Sequence, residues 1–231
     1  MSANSTTIMA EMFYDSRQGF SRLDGRPALW LPLLAVTLGT ALMYYWYFAT
    51  VDFDWLINHT LAASPDLTDS QRDTARGMMT LSMMSWTTVG MTILLTPLTF
   101  AMFAVYYLMA GRFLGCEIGY ARWFAFCVWT SVPRLLVLPL MALQIVTSHG
   151  QVALEDLSMV SLNALLLHLP NSSPWAGLAS GIDLTIAWSC VLAVSGLRVW
   201  TGRSYATCTF IVLLPLVTLY GLWALKIAMF S

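Results

Sequence analysis

Arg134 and Asp183 are charged residues set inside otherwise apolar stretches, and they are the positions where this chain could do chemistry. An unpaired charge at mid-bilayer costs about 2.5 to 3.5 kcal/mol, so each requires a partner or a wet cavity. Arg134 lies 11 residues beyond Trp123, and Asp183 lies 15 residues before Arg198. At a rise of about 1.5 Å per residue their depths differ by about 6 Å, within reach of an arginine side chain. Three arrangements meet the cost: an ion pair that glues the third and fourth spans together, a snorkelling or solvated Arg134, and charges lining a transport path.

Around these two charges the sequence lacks catalytic patterns. It contains no HExxH, GxSxG, GxxxxGK[ST] or GxGxxG. An intramembrane protease needs paired aspartates, a Ser and His pair, or a zinc motif inside its spans, and Asp183 stands alone there. His59, His149 and His168 are far apart and without acidic residues at metal-ligand spacing, so they read as solvated or interfacial. Cys116, Cys127, Cys190 and Cys208 form no CxxC and suggest neither zinc nor disulfides. The expectation is a non-enzymatic protein with no catalytic residue, cofactor or metal. Met78, Met79, Met83, Met84 and Met91 make a patch whose thioethers suit copper(I) or adaptable packing; without histidine or cysteine partners, packing is expected.

The elements that must position Arg134 and Asp183 follow from composition. Of 231 residues, 58% are hydrophobic and only 10% charged, against about 25% charged in a soluble domain. So few charges cannot cover a surface facing water, which makes lipid the solvent. A net charge of -1 leaves no basic field for nucleic acid. A span needs about 20 apolar residues, and five stretches qualify, at about 29–48, 86–110, 123–146, 178–199 and 205–229. The fold class is therefore all-α, a polytopic helical bundle over 29–231 preceded by a segment 1–28. Pro133, Pro139 and Pro215 fall inside spans, where kinks are expected. Gly177 and Gly181 form a GxxxG at the entrance of the fourth span, and Gly90, Gly111, Gly115 and Gly119 also permit close approach.

Charges before Leu29 break up any signal-peptide core, so the first span is expected to be a permanent anchor. Residues 11–23 place Phe13, Phe20 and Leu23 at helical spacing behind Asp15, which predicts a short interfacial helix. Arg17, Arg22, Arg26, Arg112, Arg122, Arg198 and Arg203 fall on one side of a five-span arrangement, with Arg72 and Arg76 opposite. The positive-inside rule then puts the N-terminus in the cytoplasm and the C-terminus outside. Both long outer segments carry helical patterns. Asp69 caps a predicted helix running through Met79 and Met83 into the second span, and Leu154 to Leu169 predicts a lid or half-embedded helix with a broad leucine face. Asn58-His59-Thr60 and Asn171-Ser172-Ser173 match glycosylation acceptors, relevant in a eukaryotic secretory compartment.

Four stretches carry a family resemblance: Met12-Phe13-Tyr14-Asp15 with Phe20 before Arg26-Pro27, Trp129-Thr130-Ser131-Val132-Pro133, Ser180-Gly181-Ile182-Asp183-Leu184, and Thr201-Gly202-Arg203-Ser204. With them the chain resembles a bacterial member of the Yip family, named for eukaryotic membrane proteins that interact with Rab-type GTPases. The resemblance implies a five-span helical protein of the bacterial cytoplasmic (inner) membrane. It also implies partners among integral membrane proteins, such as an ABC exporter that this chain accompanies as an accessory or regulatory subunit. Membrane lipids and a second copy of the chain are the other expected partners. The pattern departs from the family at Arg134, where an uncharged residue is expected, and in the missing long N-terminal region of the eukaryotic relatives. The alternative reading is a small self-contained transporter or channel with Arg134 and Asp183 in a polar path.

Overall fold

A computed structural model describes residues 5–23, 29–62 and 68–230. Most of these are helical, without a β-strand among the described residues. In chain order the helices are α1 (Ser5–Tyr14), α2 (Ser16–Leu23), α3 (Trp30–Thr50), α4 (Phe53–Ala62), α5 (Asp69–Met78), α6 (Leu81–Phe113), α7 (Tyr120–Thr130), α8 (Val137–Thr147), α9 (Ala176–Ser180), α10 (Leu184–Thr201) and α11 (Tyr205–Phe230). Among the described residues five segments are long and apolar enough to cross a membrane: α3, α6, the α7–α8 stretch Tyr120–Thr147, α10 and α11. The protein is a multi-pass, all-helical membrane protein.

The spans differ in how much of their surface the protein itself covers. In Tyr120–Thr147, 50% of the most apolar window is buried, against 17% in α6 and 11% in α11. On α3, Leu31, Leu34, Leu38, Leu42 and Tyr45 are exposed at steps of three and four residues. That stripe is stable only where the surroundings are lipid, because in water it would be a contiguous apolar patch.

Two compact units are present. The first comprises Met1–Leu38, Leu94–Leu135 and Thr185–Leu222, and the second Gly39–Ile93, Leu136–Leu184 and Trp223–Ser231. The first unit has an aromatic core in which Phe20, Trp123, Phe126 and Trp129 are fully buried. The core of the second is smaller, with Tyr47, Phe48, Met141, Ile145 and Leu157. There the Tyr47 hydroxyl donates to the Val152 carbonyl at 2.9 Å, and the Asp52 amide donates to the Gly150 carbonyl at 2.9 Å. Gly150 has φ of +82°, and a Cβ there would sit 2.9 Å from the Thr50 carbonyl oxygen, so glycine is required at this turn.

Several expected elements are corrected. The helix expected to run from Asp69 into the second span is broken: α5 ends at an extended Met79, and α6 begins at Leu81, with the Thr80 hydroxyl accepting from the Met83 amide at 3.2 Å. The cap of α5 is Thr68 rather than Asp69, in a reciprocal capping box with Gln71. The second span is longer than expected and carries Pro97 inside it. No continuous helix occupies 154–169. Short turns at Leu154–Leu157 and Asn163–Leu167 replace it, because polar side chains take the backbone groups a helix would use. Asn163 Oδ1 accepts from the Leu169 amide at 2.9 Å, Ser161 Oγ accepts from Ala164 at 3.1 Å, and His168 turns the chain at φ of +49°. The fourth span begins at Leu184, after a break at Gly181–Asp183 where Val160–Leu162 pairs with Ile182–Leu184 through the Leu162 and Leu184 amides.

Candidate functional site

The third span stops being an α-helix at the Trp129–Pro133 stretch. Pro133 has no amide hydrogen to continue the ladder. Just before it, the Thr130 hydroxyl donates to the Cys127 carbonyl at 3.0 Å and the Ser131 hydroxyl to the Val128 carbonyl at 2.7 Å. Val132–Leu136 then tightens into a 3₁₀ turn, with the Arg134 amide donating to the Ser131 carbonyl at 2.9 Å. Pro139 falls in the first turn of α8, where a missing amide hydrogen costs least.

This break brings Thr130, Ser131 and Arg134 to the wall of a cavity of about 240 Å³ within the first unit. Ser189 of α10 joins them, and its buried hydroxyl has no hydrogen-bond partner. Phe100, Ile186, Val212, Leu216 and Leu219 supply apolar wall. Arg134, the one charged group on this wall, makes no side-chain hydrogen bond or ion pair among the described residues. Asp183 belongs to the second unit, where it immediately precedes α10 and bridges to Ser161. Arg134 is therefore a cavity residue of the first unit, and the pairing of the two charges stands as a proposal.

Opposite chain segments close the same unit. Asp15 ends α1 and accepts from the Gln18 amide at 3.2 Å, so α1 and α2 fold as a hairpin. Phe20 and Leu23 are fully buried, and Met12 nearly so. Phe20 packs against Phe126 with centroids 5.6 Å apart, and its carbonyl accepts from Trp200 Nε1 at 3.0 Å. Glu11 is buried and pairs with Arg22 at 2.7 Å. Two arginines of this unit lie against aromatic rings: Arg198 stands 3.9 Å from the Tyr205 centroid and Arg122 5.2 Å from that of Trp200. Arg17 donates to the Tyr205 hydroxyl, and Arg203 to the Leu114 carbonyl. Three of the four resemblance stretches thus lie in the first unit, with Arg26-Pro27 outside the described residues.

Pro215 shows how the membrane interior handles a lost donor. Its ring leaves the Ile211 carbonyl without its usual partner, and the Tyr106 hydroxyl donates to that carbonyl at 2.6 Å. Tyr106→Phe is expected to cost about 1 to 2 kcal/mol by leaving that acceptor unsatisfied. In a Pro215→Ala background, where the amide at 215 serves Ile211, the same change should cost much less. Thermal unfolding of the four proteins in detergent checks this; equal costs in both backgrounds would remove the link.

The second unit holds a polar cluster. The Asn171 amide nitrogen lies 2.6 Å from His59 Nε2 and 2.7 Å from Glu155 Oε1, and His59 is 3.5 Å from the same carboxylate. Trp55 stacks on His59 at 4.9 Å. Burial, and then the charge of Glu155, push the Asp156 carboxyl above its ordinary range, while His59 opposes the rise. Asn58 accepts from Arg76, so the asparagines of both glycosylation-like triplets are engaged within the unit. His149 and His168 are exposed at positive-φ turns. Among the described residues no group of three or more His, Cys, Asp and Glu is placed to hold a metal.

The glycines fare differently. A Cβ at Gly111 would meet Trp123 at 2.9 Å; at Gly177 it would meet Trp223 at 3.6 Å, an ordinary contact, and at Gly181 the Gly177 carbonyl oxygen at a tighter 3.3 Å. Gly177 and Gly181 lie in and after α9, ahead of the span they were expected to open. Gly90 and Gly119 face open space. A Cβ at Gly196 would stand 2.7 Å from Phe20, a contact the sequence does not display because 20 and 196 share no periodicity. Among the methionines, Met84 packs on the second core while Met78, Met83 and Met91 are exposed.

No curated protein matches the chain, and no solved structure does. The Yip1 domain matches residues 10–226, from the N-terminal hairpin through the last span. Over that length the chain belongs to the Yip1 domain family, as a membrane protein of five apolar helices.

Proposed function

We propose that this Yip1-domain protein acts without catalysis, by binding another integral membrane protein, and that its partner is an export system of the ABC type in a bacterial cytoplasmic membrane. The N-terminus is placed in the cytoplasm and the C-terminus outside, on the arginine distribution. The observation that carries the reading is the bareness of α6 and α11, whose apolar windows are 17% and 11% buried. On those helices Gly90 and Gly221 have nothing within 4 Å of an added Cβ, leaving two notches that the chain itself does not fill. Small residues on open faces let a second helix approach closely, which is how helices associate when lipid and protein are equally apolar.

The experiment is extraction of the tagged full-length protein into native lipid discs from its host, with mass spectrometry of what stays bound. Stoichiometric recovery of an ABC exporter, lost in Gly90→Leu or Gly221→Leu, is the expected result. Both variants should melt at or above the wild-type temperature, since an added Cβ meets nothing within 4 Å at either site and each change removes a glycine from a helix interior. Recovery of the protein alone or as a homo-oligomer under repeated gentle extraction overturns the reading.

The second reading is a self-contained transporter, favoured by the cavity that carries Arg134 at a broken helix. It includes the proposed Arg134 and Asp183 path. Substrate-dependent flux in vesicles holding only this protein would support it.

A further inference from the structure

We propose that the cavity of the first unit is a binding site for a phosphate-bearing membrane lipid, with Arg134 on the phosphate and one acyl chain along the apolar wall. The inference is independent of the exporter partnership.

Three observations converge on it. Arg134 stands near the middle of the Tyr120–Thr147 span, lines the cavity and is itself exposed, without a side-chain partner among the described residues. A guanidinium at that depth is costly unless an anion or water meets it, and its planar fork matches phosphate oxygens two at a time. Beside it the Ser189 hydroxyl is buried and unpartnered, a donor left over after the protein's own hydrogen bonds are made. Thr130 and Ser131 differ, since their hydroxyls already donate to backbone carbonyls. One charge and a few hydroxyls, those of Ser189, Tyr107 and Tyr220 among them, on an otherwise largely apolar wall are the polarity of a lipid headgroup contact rather than of a fully polar substrate.

The rest of the wall selects the source of the phosphate. Phe100, Phe103, Ile186, Val212, Leu216 and Leu219 offer nothing to a free inorganic anion and a continuous surface to an acyl chain. Leu219 at the rim is 59% exposed, so the cavity opens on a face of α11 that lipid reaches sideways. At about 240 Å³ the cavity holds part of one chain, and the remainder of the lipid stays in the bilayer.

The test uses the purified full-length protein in a neutral detergent, titrated with phosphatidic acid carrying a fluorescent acyl chain. Saturable binding at one lipid per chain is expected. Unlabelled phosphatidic acid should compete, while diacylglycerol of the same chains and inorganic phosphate should each compete at least about tenfold more weakly, since one lacks the charged contact and the other the apolar one. Arg134→Gln should weaken binding about tenfold or more and Arg134→Lys less. Leu219→Trp, which narrows the rim without touching the charge, should also weaken it. Elution volume and melting temperature report whether each variant folds; if Arg134→Gln does not fold, the competition series on wild type and the Leu219→Trp protein decide. Equal competition by diacylglycerol overturns phosphate recognition, and equal competition by inorganic phosphate makes this a free-anion site. Asp183→Asn should leave lipid binding unchanged. Tighter binding in Asp183→Asn would show that Asp183 holds Arg134 in the wild type, and would overturn the assignment.

Discussion

Replacing Gly196 by alanine is expected to destabilise the protein by about 2 kcal/mol and to release the α1–α2 hairpin. The added Cβ would stand 2.7 to 2.8 Å from three ring carbons of Phe20. That ring has no room to retreat. It is fully buried, packed by Phe126 at 5.6 Å and Trp200 at 6.2 Å, and its own carbonyl is held by Trp200 Nε1. Alanine gains about 1 kcal/mol over glycine within a helix, whereas overpacking a rigid core costs about 1 to 3 kcal/mol. A clash with a pinned aromatic ring belongs at the upper end, so the loss wins. Thermal unfolding gives the stability change, and hydrogen exchange over Ser5–Leu23 gives the docking. Phe20→Leu should rescue part of the Gly196→Ala loss, although alone it also destabilises. A Gly196→Ala protein that melts as wild type, with Ser5–Leu23 protected, would contradict the packing described.

Arg22→Ala carries the second large effect. It strands the Glu11 carboxylate, whose side chain is 4% exposed and whose Oε2 has no hydrogen-bond partner even with Arg22 in place at 2.7 Å. Removing one member of a buried pair costs about 3 to 5 kcal/mol. Arg22 is itself 36% exposed, so solvent screens part of that, and a loss of about 2 kcal/mol is expected. Neutralising the stranded charge with Glu11→Gln in the same protein should recover most of the loss. Chemical unfolding of the two single variants and the double variant forms the cycle. If Glu11→Gln fails to rescue Arg22→Ala, the charge pair is not what holds this contact.

Both effects depend on a hairpin whose residues the sequence displayed without its destination. Phe13, Phe20 and Leu23 stand at helical spacing in the sequence, with Asp15 ahead of the second turn, and spacing alone suggests a helix lying on the membrane. In the fold the same residues divide between two helices and enter an aromatic core supplied by residues more than a hundred positions away. Leu154–Leu169 was misleading for another reason. Its leucines keep helical spacing, but Ser161 and Asn163 take up backbone groups, and Val160–Leu162 pairs with Ile182–Leu184. Local hydrogen bonding outweighed the periodicity.

The sequence by itself determined that this is an all-helical membrane protein with five spans, because a bilayer requires about 20 apolar residues per crossing and forbids unpaired backbone within it. It also located the Pro-bearing third span and singled out Arg134, since a charge in an apolar run is visible without any fold. Only the tertiary structure decided which face of each span is covered. The spans are apolar all round, so no amphipathic pattern separates a lipid-facing residue such as Leu42 from a core residue such as Val36. The same is true of Tyr106 and Ile211, 105 residues apart, whose bond repairs what Pro215 removes. Lipid and protein interior make nearly the same demand on a side chain, and their difference is settled by shape and by the few hydrogen bonds that packing brings together.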